Sequence, residues 1–122
     1  MYQVRTEDHF AAAHFLASYH GKCERVHGHN YRVRLTCEGQ ELDEGGMLVD
    51  FGVLKQALKT VLLELDHTNL NDHPEFARAG DPSAEHIAEF IYRRVHRQLP
   101  DAPLTMVEVF ETDKNRAAYL PD

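Results

Sequence analysis

Two histidines separated by one residue, His27 and His29, stand four and six residues after a cysteine, Cys23, and a further histidine, His14, lies upstream. On an extended strand side chains alternate with period two, so His27 and His29 project from the same face and can grip a metal ion at small cost in chain entropy. With His14 on a neighbouring strand they offer three imidazole nitrogens. Three protein ligands and one open position is the arrangement of catalytic zinc, whereas structural zinc sites are closed by four. Cys23 is then either the fourth ligand of a closed site, or a reactive thiol beside an open one. A nearby cation and imidazole lower a thiol from its free pKa of about 8.5 and raise its thiolate fraction. Spacing alone leaves both readings standing.

Two further features carry chemistry. Asp66 and His67 are adjacent, and a carboxylate can orient an imidazole and stabilise its protonated form in an acid–base relay; the bland reading is a polar helix terminus. Glu111 ends an otherwise apolar strand face, where a carboxylate can accept two hydrogen bonds from a flat N–H/NH₂ edge such as that of a guanine or pterin ring; the bland reading is a strand-end charge in solvent.

The elements that must position these groups are legible from periodicity. Tyr2 to Leu16 reads as a strand on which Tyr2, Val4, Phe10, Ala12 and His14 share a face unless a bulge breaks the parity. His27 to Glu38 reads as a second, with His27, His29, Tyr31, Val33, Leu35 and Cys37 on one side and Arg32, Arg34 and Thr36 on the other. Glu44-Gly45-Gly46 signals a hairpin into a short strand, Met47 to Val49. Asp50 is an N-cap for a helix over 51–65, in which Phe51, Leu54, Leu58, Val61, Leu62 and Leu65 follow helical spacing. Asp66 to Asp72 reads as a polar loop. A second helix starts at Pro82-Ser83 with Ser83 as its candidate cap, buries Ile87, Phe90, Ile91, Val95 and Leu99, and ends at Pro100; a last strand runs from Leu104 to Glu111. The order β-β-β-α-α-β predicts an α+β fold: a four-stranded antiparallel sheet with two helices on one face. Such a sheet has open edges, and pairing with another copy is one way to manage them.

The chain of 122 residues suits one domain, spanning 1–122. Its 43% hydrophobic and 27% charged content is that of a soluble globular protein. No apolar run nears the roughly 18 to 20 residues that span a bilayer, and Met1 to Arg5 lacks a signal peptide's apolar core, so a cytoplasmic location is expected. The formal charge of −7 argues against nucleic acid and anionic membrane partners, though not against a small anionic substrate met by a local basic cluster. The two cysteines, Cys23 and Cys37, are too few for a disulfide framework, and Cys37 reads as a buried small hydrophobe.

Taken together, Phe10-Ala11-Ala12-Ala13-His14, Cys23-Glu24-Arg25-Val26-His27-Gly28-His29-Asn30-Tyr31, Val49-Asp50-Phe51, Leu65 to Asn71, Pro82-Ser83-Ala84-Glu85 and Glu111-Thr112 resemble, in order and over nearly the whole chain, the 6-pyruvoyl-tetrahydropterin synthase / 6-carboxytetrahydropterin synthase family. The resemblance implies zinc on His14, His27 and His29, a catalytic thiol at Cys23, a catalytic relay at Asp66 and His67, and a pterin-anchoring carboxylate at Glu111. It implies the tunnelling fold (T-fold), in which trimeric barrels stack in pairs into a homohexamer with active sites between subunits. The implied substrate is 7,8-dihydroneopterin triphosphate. The compact chain is similar to the bacterial queuosine (7-deazaguanine) type, which yields 6-carboxy-5,6,7,8-tetrahydropterin, acetaldehyde and triphosphate. The 6-pyruvoyl synthase reaction is the alternative. Glu24, directly after Cys23, resembles members that cleave dihydroneopterin to 6-hydroxymethyl-dihydropterin for folate synthesis, so a chain with both groups could run both reactions. A structural zinc protein closed by Cys23 is the non-enzyme alternative. Ser83 stands where relatives often have Thr, which keeps the hydroxyl. Lys22, Arg25, Lys114 and Arg116 are candidate triphosphate ligands.

Overall fold

A computed structural model describes residues 1–19 and 24–122. Lys22 and Cys23 therefore lie outside the described residues. Among the described residues, five strands form one mixed sheet carrying three α-helices: β1 (Tyr2–His14), β2 (His27–Gly39), α1 (Phe51–Leu65), β3 (Thr68–Asn69), α2 (Pro74–Ala79), α3 (Ala84–Gln98), β4 (Leu104–Phe110) and β5 (Arg116–Tyr119). The sheet order is β3-β1-β2-β4-β5.

The two long strands pair antiparallel without a break from Tyr2↔Gly39 to His14↔His27. No bulge intervenes, so the predicted parity holds. Thr6, Phe10, Ala12 and His14 are buried while Arg5, Glu7 and His9 are exposed. Tyr31, Val33, Leu35 and Cys37 continue the buried face on β2, and Val107 and Val109 on β4. Against it pack Leu54, Leu58, Val61, Leu62 and Leu65 of α1 and Ile87, Ile91 and Val95 of α3. Burying such a side chain contributes about 1.5–3 kcal/mol.

Both long helices start where expected. The Asp50 side chain accepts the Gly52 amide, and the Ser83 hydroxyl accepts the His86 amide, each satisfying an otherwise orphaned N–H. Phe51, placed in the apolar stripe by spacing, is exposed.

Three expectations are corrected. The sheet is five-stranded and mixed rather than four-stranded and antiparallel, with three α-helices rather than two. Met47 to Val49 is not a strand. The Asp43 carboxylate accepts the amides of Gly45 and Met47, and the Asp43 amide bonds the Met47 carbonyl; the segment closes on itself as a turn instead of extending along a neighbour. The loop after α1 is also structured. Thr68-Asn69 pairs parallel with Ala12-Ala13, a 3₁₀ turn follows at Leu70–Asp72, and His73 caps α2. The fifth strand, Arg116–Tyr119, returns from Glu111 as an antiparallel hairpin arm on β4.

The edges are as open as expected. The outer side of β1 meets β3 only at Ala12 and Ala13, leaving its first part with no sheet partner among the described residues.

Candidate metal centre and active site

The last cross-strand pair of the β1–β2 ladder is His14↔His27, and His29 sits opposite Ala12. Antiparallel partners share a face, so the register alone gathers the three rings. One ligand nitrogen from each lies within 4.8 Å of the others. The ring centroids are 4.6 to 5.1 Å apart with edge-on contacts.

Hydrogen bonds assign the tautomers. His14 Nδ1 lies 2.8 Å from the Pro82 carbonyl and His27 Nδ1 2.9 Å from the Arg25 carbonyl. A carbonyl can only accept, so each Nδ1 carries a proton, the tautomer that leaves Nε2 free to offer a lone pair. Those two Nε2 atoms face each other at 3.1 Å. The third, His29 Nε2, is buried and has no hydrogen-bond partner among the described residues. Burial, partly opposed by Glu111, lowers the His29 pKa and favours the neutral ring a metal needs. Converging lone pairs and an orphaned buried nitrogen call for a shared cation, so these residues fit a bound metal ion. The two Nδ1–H···O=C bonds are the outer partners that hold such ligands in orientation.

Glu111 follows β4 directly, and the sheet brings it to the same spot: its carboxylate oxygens lie 4.0 Å from His14 Nε2 and 3.8 Å from His29 Nε2. The Tyr31 ring packs edge-on against His14 and His29 and stacks on Phe10. Burial, reinforced by the charges of Glu111 and Glu24, pushes its hydroxyl's pKa far up, so the phenol stays neutral.

Asp66 and His67 form their pair within one chain. Asp66 Oδ2 lies 3.0 Å from His67 Nδ1, and Asp66 Oδ1 accepts the Ala11 amide at 2.9 Å. The Ala11 amide, then the His67 contact, hold the Asp66 carboxyl below its ordinary range. The His67 amide donates in turn to the Ala11 carbonyl at 2.6 Å. His67 has φ of 59°, in the left-handed region where a non-glycine residue is strained. The double tie to Ala11 holds it there. His67 and His29 line one shallow concavity of about 400 Å³ together with Ala11, Ala13, Gly28 and Asn30.

Sequence reasoning missed the groups that fix the loop leaving His14. The Asn71 side chain bonds both the amide and the carbonyl of Phe15, each at 2.9 Å. Asp81 accepts the amides of Ala17 and Ser18. Glu24 Oε1 accepts the Leu16 amide, and the Glu24 amide returns to the Leu16 carbonyl. Short polar side chains near Gly or Pro were the available signal. Of the candidate phosphate ligands, Arg116 is paired with Glu108 at 2.9 Å, while Arg25 and Lys114 are exposed.

Comparison with known proteins agrees with this architecture. Residues 3–122 match the family model for 6-pyruvoyl tetrahydropterin synthase. The chain is 41% identical to a 6-carboxy-5,6,7,8-tetrahydropterin synthase of Bacillus subtilis, over 98% of this chain and 86% of that one. It is 36% identical to the human 6-pyruvoyl tetrahydrobiopterin synthase, over 81% and 70%. The solved structure of the Caenorhabditis elegans 6-pyruvoyl tetrahydropterin synthase superposes with a TM-score of 0.86 at 29% identity, covering 99% of this chain and 96% of that one. The fold is the α+β T-fold of these proteins, and the chain belongs to the 6-pyruvoyl tetrahydropterin synthase family.

Proposed function

We propose that this chain is a zinc-dependent 6-carboxy-5,6,7,8-tetrahydropterin synthase that converts 7,8-dihydroneopterin triphosphate to the 6-carboxy product, acetaldehyde and triphosphate, within queuosine biosynthesis. The observation that carries the metal part is the facing of His14 Nε2 and His27 Nε2 at 3.1 Å beside the orphaned His29 Nε2. The likeness to the Bacillus subtilis protein over nearly the whole chain supports the 6-carboxy reaction.

His14, His27 and His29 would hold the zinc, which when bound supplies a Lewis acid for the oxygens of the substrate side chain. His67, with Nδ1–H committed to Asp66, keeps Nε2 for proton transfer. Asp66 orients that ring and stabilises its protonated form. Cys23 moves a proton at the side-chain carbons. Glu111 receives the flat donor edge of the pterin. The open outer edge of β1 supports assembly with further copies into the homohexameric barrel, with active sites completed between subunits, around a single domain of 1–122.

A second reading has its own observation. The Glu24 charge acts on the His29 ring, so a carboxylate stands near the histidines, and cleavage to the 6-hydroxymethyl pterin is the accompanying activity to look for. Incubation with 7,8-dihydroneopterin triphosphate and mass identification of the pterin decides. A carboxy side chain upholds the main reading; a pyruvoyl or hydroxymethyl side chain as the sole product overturns it. Zinc retained by Cys23→Ala together with lost turnover separates a catalytic thiol from a closing ligand.

A further inference from the structure

We infer that Glu111 is an exchangeable ligand: it closes the metal centre in the substrate-free protein and leaves it when a pterin enters. The inference rests on the metal reading above and deepens it. A tetrahedral ion with ligand bonds of about 2.0–2.2 Å sets its donor atoms roughly 3.4 Å apart. The nitrogens of His14 and His27 stand 3.1 Å apart, and the Glu111 oxygens stand 3.8 Å from His29 Nε2 and 4.0 Å from His14 Nε2. The carboxylate thus stands beside the nitrogens of His14 and His29, slightly beyond tetrahedral donor spacing, one oxygen toward each. It is too far from both rings to be hydrogen-bonded to them, so imidazole contact is not what holds it. Among the described residues those two imidazoles are its ion-pairing neighbours within 4 Å.

The backbone aims it. The Glu111 amide bonds the Asn115 carbonyl, and the Thr112 hydroxyl accepts the amides of Lys114 and Asn115. This locks the corner between β4 and β5. Phe110↔Arg116 closes the hairpin behind it. The side chain itself is 30% exposed, so a torsional swing can carry it from the ion to an incoming ligand. One carboxylate then serves two partners in turn: the cation when the site lacks pterin, and the pterin's N–H/NH₂ edge when it is present.

Cobalt(II) reports this without turnover. The full chain, freed of metal by chelation, is titrated with cobalt(II) as wild type, E111Q, E111A and H29A, and the visible absorption is recorded before and after adding neopterin. Cobalt bound by wild type and lost from H29A establishes the histidine centre independently of Glu111. Given that, E111A is expected to bind cobalt at least about tenfold more weakly with a shifted band, and neopterin to move the wild-type band toward that of E111A. E111Q, nearly isosteric, carries the test should E111A not fold. Unchanged affinity and band in both Glu111 variants overturns the inference while leaving the metal centre intact. An unmoved wild-type band on neopterin addition overturns the exchange. Failure of wild type to bind cobalt overturns the metal reading itself.

Discussion

His14, the last residue of β1, donates through Nδ1 to the carbonyl of Pro82, 68 residues later and one position before the cap of α3, at 2.8 Å. A buried histidine on the sheet is thereby held by the loop that opens α3. The partner is a backbone atom, so substitution at position 82 cannot remove it; only a change at His14 can. His14→Ala should abolish metal binding and also leave the Pro82 carbonyl unpaired in a buried setting, costing about 1–3 kcal/mol. His27→Ala, whose ring partner Arg25 is exposed, should lose the metal with a smaller stability loss. Metal content and urea midpoints of the two variants check the contrast. Equal midpoints would remove the structural role of the His14–Pro82 bond.

Asn71 acts on the same histidine through its chain neighbour. Its amide pairs with both backbone groups of Phe15, the residue after His14. Asn71→Ala should lower stability by about 1–3 kcal/mol through two unmade bonds. It should also weaken metal binding several-fold, in the manner of a lost outer partner. Metal titration alongside chemical denaturation measures both; unaltered metal affinity would confine Asn71 to a loop-holding role.

Asp66→Asn removes the acceptor that orients His67 while keeping the shape. Turnover should fall by about 10²–10⁴ with metal content unchanged. The pH dependence has a defined sign. The Asp66 carboxyl titrates in the folded chain below its ordinary value of 3.8. Its stabilising effect is therefore complete above that value and is lost as pH falls through the lower folded value. The stability gap between wild type and D66N should be level from neutral pH down to about 5 and shrink only in stronger acid. A gap that already closes between pH 7 and 5 would contradict it.

The two thiols should differ sharply in reactivity. Cys37 is fully buried in the core, and burial pushes its pKa up to about 11, so little thiolate exists at neutral pH. Under native conditions iodoacetamide should label Cys23 and spare Cys37, with both modified after denaturation. Peptide mass mapping reads the outcome, and native labelling at Cys37 would show that the β2 core opens.

The sequence by itself determined the two long strands, the parity that puts His14, His27 and His29 on one face, the caps Asp50 and Ser83, and the identity of the chemical groups. These are local properties: period-two and period-3.6 patterns and capping residues act over a few positions. The shortest elements were illegible for the same reason. β3 has two residues and carries no period, and it exists because Ala12-Ala13 offers it a parallel edge. Met47 to Val49 looks like a strand but yields to the Asp43 turn.

What only the tertiary structure decided is distance. The unbroken register brings His14 opposite His27; the Pro82 carbonyl selects the His14 tautomer; Ala11 ties Asp66 and His67 beside the same concavity; and the β4–β5 corner sets Glu111 within 4.0 Å of two imidazole nitrogens. These contacts join residues 13 to 97 positions apart. No local pattern encodes such separations. They follow from pairing the strands and packing both long helices on one face, where each group meets the partner its chemistry requires.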